Sequence, residues 1–202
     1  MELLLLVRHG LAGSNRDRIA SCAVPGEGLT PEGVEQGRRL ATLLSAEEIA
    51  LGTSTELART RETLELALGA RGVPRLVVGD LNEIAFGSYA DGPLDEYRAW
   101  AASHPPAAPS PGGGESRAVV AARFAQGLRC LLERPEPVVL HVGHALAVRY
   151  VIDAAKGLAP APLMAPVEHA VPFTLQAADV ETAADLLDAW SRAPRFRDHS
   201  IG

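Results

Sequence analysis

Strands and helices alternate along this chain, which predicts an α/β sandwich with helices packed over a largely parallel sheet. Two observations carry the prediction. Continuous apolar runs at Leu3 to Val7, Leu76 to Val78 and Val138 to Val142, with a weaker one at Ile49 to Ser54, read as strands buried on both faces. Stretches with a helical period lie between them.

The first helix is announced by Thr30 then Pro31, an N-cap followed by proline at the first helical position, with Val34, Gly37, Leu40, Ala41 and Leu44 along one face. A second helix follows Leu57. A third is expected over Ser116 to Leu132, where Val120, Phe124, Leu128, Leu131 and Leu132 share a face. A fourth carries Val148, Val151, Ile152 and Ala155. Residues 103–115, SHPPAAPSPGGGE, hold too much proline and glycine for regular structure and read as a surface loop. Towards the end of the chain only Ala183 to Trp190 shows a helical pattern, ahead of a polar tail.

At 202 residues and 47% hydrophobic, the chain is expected to form a single domain over residues 1–202. Its net charge of −6 argues against nonspecific attraction to nucleic acid or to an anionic membrane. Two cysteines, Cys22 and Cys130, build neither a disulfide framework nor a metal-ligand spacing. With no run of the ~20 apolar residues a membrane helix needs, and no basic stretch before the first apolar run, a cytoplasmic location is expected.

The run LLLLVRHG raises the functional question, because an apolar strand ends on Arg8 and His9. In open α/β sheets ligands bind outside the carboxyl ends of the strands, where loops converge and helix N-termini point outward. PVVLHVGHALAVRY delivers His144 in the same way, just past another strand and at the start of a helix. TELARTRET puts Arg59 in the first turn of a helix, and LNEIAFG puts Glu83 in a strand-end loop. Two arginines, two histidines and a carboxyl suit phosphoryl transfer without a metal. The guanidinium fork matches phosphate oxygens, neutral imidazole attacks phosphorus, and a carboxyl shuttles a proton to the leaving oxygen.

LVRHG followed by Asn15, GLTPEG, STELARTRET, LNEIAFG, PGGGES and VGHALAVR, in that order from residue 5 to about 149, resemble the histidine phosphatase superfamily, the phosphoglycerate mutase-like family. The resemblance implies a three-layer αβα sandwich, a mostly parallel central sheet with one antiparallel strand, and a phosphohistidine intermediate. It further implies His9 as nucleophile, Glu83 as proton donor, and Arg8, Arg59 and His144 as holders of the nonbridging oxygens, His144 preferably charged. Asn15 and the backbone amide near Ala145 would line the pocket. No cofactor is implied, and a homodimer is compatible with the family.

Other residues compete for these roles. Asp80 shares a loop with Glu83, but LNEIAFG fits the family block through Glu83. His141 and His144 form HxxH, yet residues three apart on a strand face opposite ways, so His141 is expected beside the site and not on a shared metal. His104, His169 and His199 have no motif support, although some relatives are expected to carry asparagine where His169 stands. Departures from the family pattern are Leu11 and Ala12 in place of polar and threonine residues, Gly143 in place of a frequent serine, and Ala145 in place of glycine. The expected activity is a phosphomonoesterase acting on a small phosphorylated metabolite. A phosphoglycerate-type mutase and a noncatalytic phospho-ligand binder of the same fold are the alternatives. The entrance is expected from Ser14 to Pro25, Tyr89 to Trp100 and the 103–115 loop, with Arg16, Arg18, Tyr89, Tyr97 and Arg98 as candidate contacts.

Overall fold

The computed structural model describes residues 1–197. Its elements are β1 (Leu3–Arg8), α1 (Gly13–Arg16), α2 (Pro31–Leu43), β2 (Leu51–Ser54), α3 (Ala58–Leu68), β3 (Arg75–Val77), α4 (Leu94–Ser103), α5 (Arg117–Leu132), β4 (Val138–Gly143), α6 (Ala145–Ala154), β5 (Pro172–Gln176) and α7 (Ala177–Arg192). The strands form one sheet in the order β3-β2-β4-β1-β5. All pairings are parallel except β1 with β5, which is antiparallel, as the resemblance implies.

The pleat of β1 divides the core. Leu4 and Leu6 face one side, packed with Val120, Phe124, Leu128 and other residues of α5, α6 and α7. Leu5 and Val7 face the other, against Leu40 of α2 and Leu64 and Leu68 of α3. Every side chain of LLLLV beyond Leu3 is therefore buried, which explains why the run is continuously apolar.

The helix signals act as read. Thr30 Oγ1 accepts from the Gly33 amide at 3.1 Å, and Ser116 Oγ caps α5 by accepting from the Val119 amide at 3.1 Å. Gly33 faces the loop after β1, where a Cβ would overlap the Leu11 carbonyl. Gly33→Ala is therefore expected to destabilise the protein by about 1–3 kcal/mol, seen as a lower midpoint in urea with an unchanged slope.

Two expectations need correction. The run at Leu76 to Val78 is not a strand buried on both faces: β3 is the sheet edge, with Arg75 and Val77 exposed. The helix expected over Ala183 to Trp190 starts at Ala177, where Asp179 Oδ2 accepts from the Gln176 amide at 2.9 Å. Helix α4 and strand β5 lie in segments that showed no strong period. Residues 104–115 form no helix or strand, in line with the loop expected there. His199 lies outside the described residues. Among those residues no helix is long and apolar enough to cross a membrane.

Candidate active site

Because β1 and β4 are parallel neighbours with Arg8 opposite Gly143, the residues that follow them emerge side by side at one carboxyl edge. The His9 amide donates to the Gly143 carbonyl at 3.0 Å, and the His9 and His144 ring centroids lie 5.3 Å apart. His144 is the N-cap of α6, and Arg59 rises from the first turn of α3. The two histidines are 1% and 0% exposed and Arg59 is 2% exposed, so the three form a floor beneath the surface.

His9 is held in one tautomer. Its Nδ1 lies 2.7 Å from the Gly10 carbonyl, which can only accept, so Nδ1 carries the proton and Nε2 keeps its lone pair. Arg59 Nε donates to that Nε2 at 3.2 Å. The backbone is clamped too: Gly10 N donates to Thr63 Oγ1 at 2.9 Å, and His169 Nδ1 donates to the His9 carbonyl at 2.7 Å. His169, which had no motif support, thus packs edge-on to His9 with centroids 5.6 Å apart.

His144 is wired to a hydroxyl chain. Thr60 Oγ1 donates to the Leu57 carbonyl at 2.8 Å, which leaves its oxygen free to accept from Thr55 Oγ1 at 2.9 Å. The Thr55 oxygen can then accept from His144 Nε2 at 2.9 Å. The other ring nitrogen, Nδ1, is 3.4 Å from Arg59 Nη2 and 3.8 Å from Glu83 Oε2.

Burial pushes the proton affinity of His9 well below the ordinary imidazole range, helped by the adjoining His144 ring, beside which a second proton is disfavoured, and by the charges of Arg59 and Arg8. Burial and then Arg59 do the same to His144. The expectation of a charged His144 therefore does not hold in the ligand-free site, where two buried arginines already supply the positive charge. Burial raises the carboxyl of Glu83, against the opposing pull of Arg59 and Arg8. Arg8 is lowered to about 10 by burial.

A cavity of about 70 Å³ opens beside His9, lined by Arg8, His9, Asn15, Glu83, Ala145 and other residues, with Arg59 and His144 behind its wall. It joins an outer lobe of about 470 Å³ walled by Pro162 to Val167, with which it shares Arg8, Arg98, Arg117, Ala145 and Met164. A larger surface groove, about 670 Å³ between α2 and residues 168–171, reaches His169 but none of the other site residues. The smaller cavity is the chemically equipped one, since its wall joins His9 to Glu83.

Seven expected residues thus meet: His9, Glu83, His144, Arg8 and Arg59 as a cluster, with Asn15 and Ala145 on the cavity wall. Asp80 is exposed and outside the cavity. His141 is 0% exposed and bonds Thr53 Oγ1 through Nδ1 at 2.9 Å. A Cβ at Gly143 would lie 3.0 Å from His141 Nε2, so a side chain there would press on that ring. Among the described residues no cluster of three or more histidine, cysteine or carboxylate groups could hold a metal. Of the expected entrance residues, Tyr97 and Arg98 line the cavity, whereas Arg16 and Arg18 pair with Asp17 and Asp95 at the surface.

Sequence reasoning missed the brace behind Glu83. Arg123 of α5 donates to the carbonyls of Asp80 at 2.8 Å and Asn82 at 2.9 Å while gripping Glu115 at 3.0 and 2.8 Å. Glu115 in turn accepts from the Ala85 amide at 2.9 Å. The spacing of Glu115 and Arg123, two helical turns apart across the start of α5, was the available signal. Removing the guanidinium orphans the carbonyls of Asp80, Asn82 and Glu83 and strips Glu115 of its cation, so Arg123→Ala is expected to cost about 2–3 kcal/mol. Loosening the loop under Glu83 should also lower kcat roughly tenfold or more with little change in KM. Steady-state kinetics beside a thermal melt separates the two effects.

A family model described as the histidine phosphatase superfamily (branch 1) matches residues 4–170. The adenosylcobalamin/alpha-ribazole phosphatase of Escherichia coli K12 is 37% identical over 86 residues, covering 43% of this chain and 42% of that protein. The protein of the same name from Salmonella typhimurium LT2 is 33% identical over 119 residues, covering 55% of this chain and 58% of the relative. The chain thus spans only about half the length of the curated relatives it matches. The crystal structure of the alpha-ribazole phosphatase from Shigella flexneri superposes with a TM-score of 0.73 at 26% identity, covering 85% of this chain and 89% of that one.

Proposed function

The chain belongs to the histidine phosphatase superfamily, and from that premise we propose that it is a metal-independent phosphomonoesterase, one catalytic domain acting on a small phosphorylated metabolite through a phosphohistidine on His9. The observation that carries the proposal is the tautomer of His9. Its proton is committed to the Gly10 carbonyl, and its basic Nε2 lies beside Arg59 Nε on a ring that lines the cavity.

A phosphate dianion in the cavity meets the guanidiniums of Arg8 and Arg59, whose Nε and Nη1 have no other partner. His9 Nε2 attacks phosphorus in line, and the ester P–O bond breaks. Glu83, whose hold on a proton is strengthened by burial, gives that proton to the departing alkoxide. Water then attacks the phosphorylated imidazole and yields its proton to the Glu83 carboxylate. The P–N electron pair returns to Nε2, inorganic phosphate leaves, and the enzyme is restored. Charge on the equatorial oxygens is met throughout by fixed donors, the main source of catalysis in phosphoryl transfer. His144, neutral when the site is empty, gains affinity for a proton as the dianion approaches.

The test is release of inorganic phosphate from p-nitrophenyl phosphate with excess chelator present. Sustained release supports the phosphatase. Phosphate that reappears as a new ester instead of free anion identifies a mutase, and binding without either product identifies a noncatalytic receptor.

A further inference from the structure

Among the described residues three guanidiniums each leave one buried nitrogen without a partner: Arg8 Nε, Arg59 Nη1 and Arg117 Nε. The function proposed above assigns the first two to the phosphoryl group. Arg117 is the first residue of α5, 7% exposed, and lines the cavity at the junction of its two lobes. Its Nη1 donates to Tyr150 Oη at 3.2 Å, and its nearby polar groups are the phenols of Tyr150 and Tyr97. Both phenols keep their protons, since burial pushes Tyr97 up to about 12 and raises Tyr150 as well. Among the described residues Arg117 forms no ion pair. A buried cation without a counter-charge is costly unless a bound anion supplies one.

The charge balance points the same way. Arg8 and Arg59 already match the two negative charges of a phosphate monoester. Arg117 is left over, with Arg98 beside it at the mouth, half exposed and 3.6 Å from Asp95. Beyond them the outer lobe of about 470 Å³ has room for the rest of an alcohol.

We propose that Arg117 determines specificity by binding a second anionic group, a carboxylate or a phosphate, carried on the alcohol portion of the ester. The proposal rests on the phosphomonoesterase function above and names the class of substrate for the same site. Charge-assisted, bidentate contact with a guanidinium discriminates strongly against an ester that lacks the anion, because the buried cation then stays unpaired.

The test compares three esters built on one three-carbon alcohol: propyl phosphate, 3-(phosphonooxy)propanoate and propane-1,3-diyl bisphosphate. The wild-type protein is expected to favour one or both dianion-plus-anion esters over propyl phosphate by about tenfold or more in kcat/KM. Whichever is preferred tells a carboxylate site from a phosphate site. Arg117→Met should remove that preference, and Arg117→Lys should restore part of it, with thermal melts confirming that each variant is folded. Equal turnover of all three esters by the wild type, or an equal loss on all three in folded Arg117→Met, overturns the proposal. If phosphate is released from none of them, the phosphomonoesterase function itself fails. Calorimetric binding of the same three esters then decides the role of Arg117, with tighter binding of the doubly anionic esters supporting it and equal binding overturning it.

Discussion

Replacing His9 by alanine is expected to lower phosphate release by about 10⁴-fold or more, since the variant lacks the only group placed to form the covalent intermediate. The residual rate should come from the arginines alone, which still bind and neutralise the phosphoryl group. The fold should survive. His9 sits at the end of β1 and not within it, and the backbone bonds from its amide to Gly143 and from Gly10 to Thr63 do not use its side chain. The measurement is kcat/KM beside labelling with phosphorus-32 quenched in alkaline detergent, which preserves the P–N bond: the wild type should retain label on one histidine, and the variant none. A folded His9→Ala protein that turns over at more than a tenth of the wild-type rate would remove His9 from the mechanism.

Glu83→Gln should separate activity from stability. As a proton donor Glu83 is worth roughly 10²–10⁴ in rate, and the loss should be greatest for alkyl esters and smallest for p-nitrophenyl phosphate, whose leaving group needs little protonation. Stability should move the other way. Burial raises the Glu83 carboxyl in the folded protein, so the proton is held more tightly there than in the unfolded chain. That contribution is fully present below the unfolded value, about 4.3, and is lost as pH rises through the folded one. Glutamine carries no such cost, and the variant is expected to melt higher at neutral pH, by about 2–4 °C for each ~1 kcal/mol recovered. The gain should shrink towards pH 4. A melting point that falls at pH 8 would mean that the attraction of Arg59 and Arg8 outweighs the burial of the carboxyl.

The parts of this molecule that were legible in sequence are those whose local chemistry conflicts with their surroundings. An arginine and a histidine closing a strand of leucines and a valine have no reason to be there unless a site is, and Thr30 before Pro31 satisfies a helix terminus with two residues. Glu83 was separable from Asp80 only through a family block, since both are acids in one loop. Helix α4 was hidden because its buried positions, Tyr97 and Ala101, are few and sit among exposed residues. Strand β5 begins with a proline and buries only Leu175 fully, so its alternation is too short to register. Nothing in Leu76 to Val78 says that the sheet stops there, because an edge is defined by the absence of the next strand. Arg117 and Arg123 are ordinary helical arginines by sequence. Their roles depend on the rotation of α5 against the sheet, which is set by Val120, Phe124 and Leu128 burying their side chains on the other elements.

The pairing of β1 with β4 also dictates when the site can exist. His9 and His144 are 135 residues apart in the chain and become neighbours only when those two strands join. At the ribosome, where synthesis runs at about 5–20 residues per second, the leucine-rich first strand waits roughly 7–27 s for the strand that will cover its flank. During that interval it is an unpaired apolar edge of the kind that seeds association. The site is therefore among the last features to be assembled and cannot form on a nascent chain ahead of the sheet. Expression yield should respond more to chaperone supply and growth temperature than the folded protein's stability alone would indicate.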